Sequence, residues 1–177
     1  MGLSVVPHAN ERSRAYRFEV LNGKQGTYAL LFQLDRHLRV QVGKLGQHRF
    51  PPGIYIYIGS AMGTGSTSLG HRLRRHFSHT KKKHWHIDNL LSGKAHVLGA
   101  LWAETENSFE CGLASALRDS RVFEAGPRGF GSTDCREGCG THLFRYVGRG
   151  DLNAVWAILR RVFRKTGLSP ESLCSNR

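Results

Sequence analysis

Pro52-Gly-Ile-Tyr-Ile-Tyr-Ile-Gly-Ser-Ala61 and the basic segment Leu69-Gly-His-Arg-Leu-Arg-Arg-His-Phe77 organise the rest of the chain. In the first, Ile54, Ile56 and Ile58 alternate with Tyr55, Tyr57 and Gly59. A period of two puts the isoleucines on one face of a strand and the tyrosines on the other, so one face should seek a core and the other present phenols. Gly63, Gly65 and Ser66 break the strand, and from Leu69 the apolar period becomes that of a helix. The unit is a strand, a loop and a helix.

At about 100° per residue, Leu69, Leu73 and Phe77 form an apolar stripe, with His71, Arg74 and Arg75 pointing away from it. Arg72 and His76 flank the stripe one turn apart, where side chains can reach over the sheet. A guanidinium and an imidazole beside a phenol-bearing strand suit a phosphate under attack by water. The bland reading is an amphipathic helix whose border charges snorkel.

A chain of 177 residues suits one domain with tails. Its 26 Lys plus Arg stand against 13 Asp plus Glu, an excess that points to a polyanionic partner, nucleic acid before an acidic membrane surface. No apolar run has the length of a membrane span, and the N-terminal segment carries no uninterrupted apolar h-region. The expected location is therefore cytoplasmic, nucleoid association included. Without a signal peptide, Cys111, Cys135, Cys139 and Cys174 are expected as reduced thiols or metal ligands rather than disulfides.

Residues 1–24 show no sustained period and read as a mobile tail, with a short strand expected at Tyr16 to Val20. Gly26 to Leu34 reads as the first core strand and Leu38 to Val42 as a half-buried one; His48 to Phe50 adds a short third. Pro51, Pro52 and Gly53 reset the chain before the tyrosine strand, and an antiparallel meander is the economical topology. Val97 to Ala103 is a continuous apolar run and reads as a central strand. Asn107 is placed to cap a helix through Leu113, Ala116 and Leu117, with Glu110 in its first turn as a capping-box partner. Asp151 to Lys165 has Leu152, Val155, Trp156, Leu159, Val162 and Phe163 at helical spacing, with Arg160, Arg161, Arg164 and Lys165 opposite. Gly167 to Arg177 reads as frayed.

Three clusters remain. Lys81, Lys82 and Lys83 adjoin Arg72, Arg74 and Arg75, and together they make either a solvated face or a stripe for backbone phosphates. His84, His86 and Asp88 would share one side of an extended chain as metal ligands; alternatively Trp85, Asn89, Leu90 and Leu91 form a short helix packed through Trp85. Cys135, Cys139 and His142 offer three local zinc ligands that Cys111 would complete, unless the thiols are simply free and buried.

With these residues in order, the chain resembles the GIY-YIG nuclease family, specifically the Uri-superfamily endonuclease branch. Gly26-Thr27-Tyr28 looks like the first half of the family's motif and Tyr57-Ile58-Gly59 like the second. Leu69, Arg72, Leu73 and His76 look like its arginine helix, and Glu110 stands where its metal-binding glutamate opens a later helix. The run His84 to Asp88, the segment Gly129 to Cys135 and His142 to Phe144 are similar to the branch. The likeness covers most of residues 25 to 147. Thr27 replaces the usual aliphatic residue, and the gap between the halves is long, which an inserted hairpin arm at Leu38 to Val42 would explain. Gly53-Ile54-Tyr55 spells the first half too, but within the strand of the second, so Tyr28 is assigned and Tyr55 held in reserve.

The resemblance implies an α+β fold, a small antiparallel or mixed sheet flanked by helices, with a nuclease domain over residues 25–148 and a basic helix and tail over 149–177. It implies hydrolysis of a phosphodiester, in DNA ahead of RNA, by an endonuclease or nickase of low sequence specificity. Glu110 would hold Mg2+ or Mn2+. Tyr28 would orient or deprotonate the attacking water with Tyr57 beside it, Arg72 would stabilise charge on the phosphate, and His76 would relay a proton or steady the tyrosine. Arg74, Arg75, Lys81, Lys82 and Lys83 would follow the nucleic-acid backbone. The rival expectation is a nucleic-acid-binding module of the same fold without turnover.

Overall fold

The computed structural model describes residues 18–78, 80 and 82–174. The sequence supplies strands β1 (Gly26–Leu34), β2 (Leu38–Gln41), β3 (Gln47–Phe50) and β4 (Gly53–Ala61), then helices α1 (Leu69–Phe77) and α2 (Asp88–Leu91). Next come β5 (His96–Glu104), α3 (Glu110–Asp119), β6 (Phe123–Ala125), β7 (Leu143–Tyr146), α4 (Leu152–Lys165) and β8 (Glu171–Cys174). Six strands form one antiparallel sheet in the order β6-β7-β4-β1-β5-β8. The α+β class expected from the sequence is the class observed.

The economical meander is corrected at one point. β2 and β3 pair only with each other, as a separate ribbon, so β1 and β4 lie side by side in the main sheet. Leu38 to Gln41 is thus an arm inserted between them. The pairing sets Tyr28 opposite Gly59 and Leu30 opposite Tyr57, which brings the two motif halves onto neighbouring strands.

A second correction concerns the tyrosine face. The alternation of β4 holds, but both faces of the sheet are covered. Tyr28, Leu30, Phe32, Tyr55 and Tyr57 pack with Leu69, Leu73 and Phe77 of α1, and Ala29, Leu31, Ile56 and Ile58 pack with α3 and α4 on the other side. Strands buried on both faces read as near-continuous apolar runs, which is why β1 and β5 do. Tyrosine fills the first core because its ring is apolar and its hydroxyl can find a partner at the rim.

Residues 18–24 and 167–174 are more ordered than their composition suggests. Phe18 to Val20 is helical rather than extended, while Tyr16 and the rest of residues 1–17 lie outside the described residues. Phe18 and Leu21 are buried, and the carbonyls of Lys24 and Leu21 accept the first N–H groups of α1, from Leu69 at 2.8 Å and Gly70 at 3.1 Å. Backbone thus satisfies a helix start whose Ser68 makes no side-chain cap. At the other end, the segment expected to fray contains β8, which pairs with β5 through Gly99 and Cys174 and buries Leu173. β6 and β7 carry too few residues to show a period. No helix among the described residues is long and apolar enough to cross a membrane.

Helix α4 starts on Asp151, whose carboxylate accepts from the Ala154 N–H at 3.1 Å. Val155, Leu159 and Phe163 are fully buried against the sheet, so this helix is integral to the core. Leu159→Ala should therefore destabilise the protein by about 3 kcal/mol. Urea unfolding followed by circular dichroism checks this; a change under about 0.5 kcal/mol would mean α4 is a surface appendage.

Candidate functional site

The cleft begins where α1 crosses the ends of β1 and β4. Tyr28 passes its ring over Gly59 on the neighbouring strand: a Cβ there would stand 2.5 Å from both Cζ and the hydroxyl oxygen of Tyr28. Glycine is thus required for a close approach rather than for a special dihedral angle. The Tyr28 hydroxyl meets Nε2 of His76 at 2.7 Å, and the His76 ring lies edge-on to Tyr57, centroids 6.1 Å apart. Tyr28 and His76 are almost wholly buried. Tyr55 points elsewhere and donates to the Pro51 carbonyl at 2.7 Å.

In front of this pair opens a cleft of about 410 Å³ lined by Tyr57, Ser60, Arg72, Trp85, Glu110 and Asp134, among others. Burial pushes the Tyr28 phenol well above its ordinary 10.0, against the pull of Arg72. Burial raises Tyr57 too, with Tyr28 and Glu110 adding to the rise. Burial thus favours the neutral, hydrogen-bonding form of both phenols.

Arg72 is held by packing. Its guanidinium carbon lies 4.8 Å from the centroid of Trp85, and that of Arg75 lies 4.9 Å from the same ring, a cation–π sandwich that fixes both side chains. Trp85 is placed by Asp88, whose Oδ2 accepts from the backbone N–H of His84 at 2.8 Å and of Trp85 at 2.9 Å and pairs with Arg75 at 2.6 Å. Burial opposes ionisation of Asp88, yet those two N–H groups and Arg75 outweigh it and hold the carboxyl below the usual range.

This arrangement corrects two expectations. His84, His86 and Asp88 do not converge: the His84 ring lies against Trp85, His86 Nδ1 accepts from the Gly131 N–H at 3.2 Å, and Asp88 closes the turn. The short helix packed near Trp85 is what forms. Arg75, expected to point outward, turns in to Asp88 and the Lys82 carbonyl. Arg74, Lys82 and Lys83 are exposed, the Arg74 guanidinium carbon lying 5.9 Å from the centroid of Phe18, and Lys81 lies outside the described residues.

Glu110 reaches the cleft from the opposite layer, as the first residue of α3. The capping box is not formed: Phe109 is the N-cap residue without a side-chain bond, and the Asn107 carbonyl accepts from Thr105. Thr27 does the equivalent work. Its buried hydroxyl accepts the Phe109 N–H at 3.0 Å, so a polar residue on β1, where the resemblance predicts an aliphatic one, sets the start of the helix that carries Glu110. The carboxylate is partly buried in the cleft, which Ser60, Thr133, Asp134, His84 and His86 also line, and carboxylate and hydroxyl oxygens are the donor type that suits Mg2+ or Mn2+.

Directly after Glu110, Cys111 joins Cys135, Cys139 and His142. Sulfur–sulfur distances are 3.0, 3.1 and 3.1 Å, and Cys139 Sγ lies 3.0 Å from His142 Nε2. All four donor atoms fall within 4.8 Å of one another, and among the described residues this is the one group of three or more His, Cys, Asp or Glu side chains placed to hold a metal ion. Cys174 is separate, at the end of β8.

Fold and cleft together define an antiparallel α+β protein with a tyrosine, arginine and glutamate cleft next to a thiol and imidazole cluster. Residues 27–165 match the family described as Domain of unknown function DUF123, and the chain belongs to that family. The match runs through α4, past the boundary expected at Gly148. No curated protein and no solved structure matches the chain.

Two substitutions test this geometry. Gly59→Ala should displace the Tyr28 ring and cost about 2 kcal/mol, read as a lower urea midpoint; an unchanged midpoint would show that the Tyr28 ring does not lie against Gly59. Asp88→Asn should cost about 2 kcal/mol at pH 7. Because the folded carboxyl titrates below its unfolded value, the Asp88 contribution is full above about pH 4 and fades as pH falls through the folded pKa. The gap between the two proteins should therefore close in acid, and a pH-independent gap would remove Asp88 from its role.

Proposed function

We propose that the chain is a divalent-cation-dependent endonuclease or nickase of the GIY-YIG type, acting on nucleic acid and on DNA before RNA. The observation that carries this reading is that Tyr57, Arg72 and Glu110, from β4, α1 and α3, line one cleft with Tyr28 and His76 hydrogen-bonded behind it. The exposed Arg74, Lys82 and Lys83 would supply positive charge for a sugar-phosphate backbone without base readout.

Glu110 would hold Mg2+ or Mn2+, which when bound supplies charge neutralisation at the scissile phosphate and its leaving oxygen. Arg72, clamped on Trp85, is positioned to stabilise charge gathering on the non-bridging oxygens. Tyr57 at the cleft wall orients the attacking water through its protonated hydroxyl. Tyr28 keeps His76 in place, and that pair is a route for a proton away from the cleft. The thiol and imidazole cluster has soft donors that suit zinc rather than Mg2+ and stands outside the reacting groups.

Incubation of supercoiled plasmid with purified protein and Mg2+ or Mn2+ should give nicked circles. Arg72→Ala and Glu110→Ala should each lower the rate by about 100-fold or more while leaving the fold intact by circular dichroism. Nicking that survives both substitutions would overturn the assignment. Binding of DNA without nicking under any cation would favour the non-catalytic module.

A further inference from the structure

The thiol and imidazole cluster adjoins the cleft rather than lying elsewhere in the fold. Cys111 is the next residue after Glu110 in the first turn of α3. His142 precedes β7, and its carbonyl accepts the Ile58 N–H at 2.9 Å, between Tyr57 and Gly59 of the tyrosine strand. The imidazole therefore has two neighbours of different kind. Nε2 faces the Cys139 sulfur at 3.0 Å and the Cys111 sulfur at 4.0 Å. Nδ1 is buried and makes no hydrogen bond of good geometry; the Gly131 carbonyl interacts with the ring, and Oε2 of Glu110 lies 4.0 Å from Nδ1.

Three sulfurs mutually about 3 Å apart are too far for a disulfide, which needs about 2.05 Å. They are slightly inside the spacing of about 3.8 Å that a tetrahedral shell with zinc–sulfur bonds near 2.3 Å would set. An ion at their centre requires each donor to move by less than about 1 Å. The loop bearing them is already held: Gly129 N–H donates to the Gly140 carbonyl at 2.7 Å, His142 N–H to the Phe130 carbonyl at 2.9 Å, and Arg118 to the Cys139 carbonyl. The donors come from α3 and from the loop before β7, so an ion would tie the two together at the cleft.

We infer that Cys111, Cys135, Cys139 and His142 hold a structural zinc ion that positions Glu110, so that filling the thiol centre sets how tightly the cleft takes its own divalent cation. The inference rests on the reading of Glu110 as the cation ligand. Two physical links carry it. Ligation of Cys111 pins the helical turn from which Glu110 projects. Ligation of His142 through Nε2 leaves the proton on Nδ1, which then donates toward Glu110 Oε2 after a small closure of the 4.0 Å gap. A metal-bound histidine whose second nitrogen serves a carboxylate is a recurrent way of orienting both groups. His142 is thus a positioning residue for the cleft.

The test uses the full chain and does not require cleavage. Elemental analysis of protein purified without added metal should find about one zinc per chain. Mn2+ binding, followed by loss of the free-ion electron paramagnetic resonance signal, should be abolished in Glu110→Ala with zinc retained. His142→Cys keeps four zinc ligands but removes the Nδ1 proton, so it should keep the zinc and weaken Mn2+ binding by about tenfold. Cys135→Ser should lose the zinc and weaken Mn2+ binding at least as far. Absence of zinc, iron in its place, or His142→Cys with full zinc and unchanged Mn2+ affinity would each overturn the inference. Zinc-loaded protein that binds no Mn2+, or binds it equally in Glu110→Ala, would sink both the coupling and the role of Glu110 while leaving the zinc site standing.

Discussion

The cleft depends on Tyr28 lying across Gly59. That contact needs antiparallel pairing of β1 with β4 in one register, because a slip of one residue would send Tyr28 to the opposite face and into the core under α3. Once the ring is seated, its hydroxyl fixes His76, and His76 fixes the rotation of α1 about its own axis. Arg72, one turn earlier, then faces the cleft. A single steric requirement at a glycine thereby sets the direction of a guanidinium on another element.

Around this centre the polar groups are arranged by local turns rather than by regular structure. Asp88 is buried, and its carboxylate binds two backbone N–H groups and Arg75. Such a group is costly to bury alone and stabilising only when its lone pairs are used. The result is a rigid turn that presents Trp85 as a platform for Arg72. Thr27 plays a similar part on the other layer, accepting the Phe109 N–H at the start of α3. Neither residue need touch a substrate, yet each decides where a cleft residue stands.

The two layers meet at Glu110. One side of its helix start is held by Thr27, and on the other Cys111 follows it into the thiol cluster, with His142 Nδ1 4.0 Å from its carboxylate. Charge is divided in a corresponding way. Arg74, Lys82 and Lys83 are exposed, whereas the cations of α4 belong to a helix packed on the opposite face of the sheet from α1. Among the described residues the basic side chains are therefore not gathered into one stripe.

Much of this was legible in the chain. Alternation in β4, the apolar runs of β1 and β5, and helical spacing in α1 and α4 are periodic over enough residues to identify each element, and three of the residues singled out in the chain, Tyr57, Arg72 and Glu110, line one cleft. β6, β7 and β8 have three or four residues each, too short for a period, and their pairing partners are distant in sequence. The buried state of both sheet faces was likewise hidden, since an alternation of isoleucine and tyrosine looks the same whether the phenols face water or a second core.

Sequence alone determined which residue types were available and on which face of each element they lay, because side-chain direction follows from backbone periodicity. Tertiary structure alone decided what those residues meet: that Arg75 turns inward to Asp88, that Thr27 rather than Asn107 starts α3, and that Cys111 completes the group formed by Cys135, Cys139 and His142. Each of these is a contact between elements, fixed by sheet order and by the burial of polar groups that must find partners. No local pattern encodes that pairing.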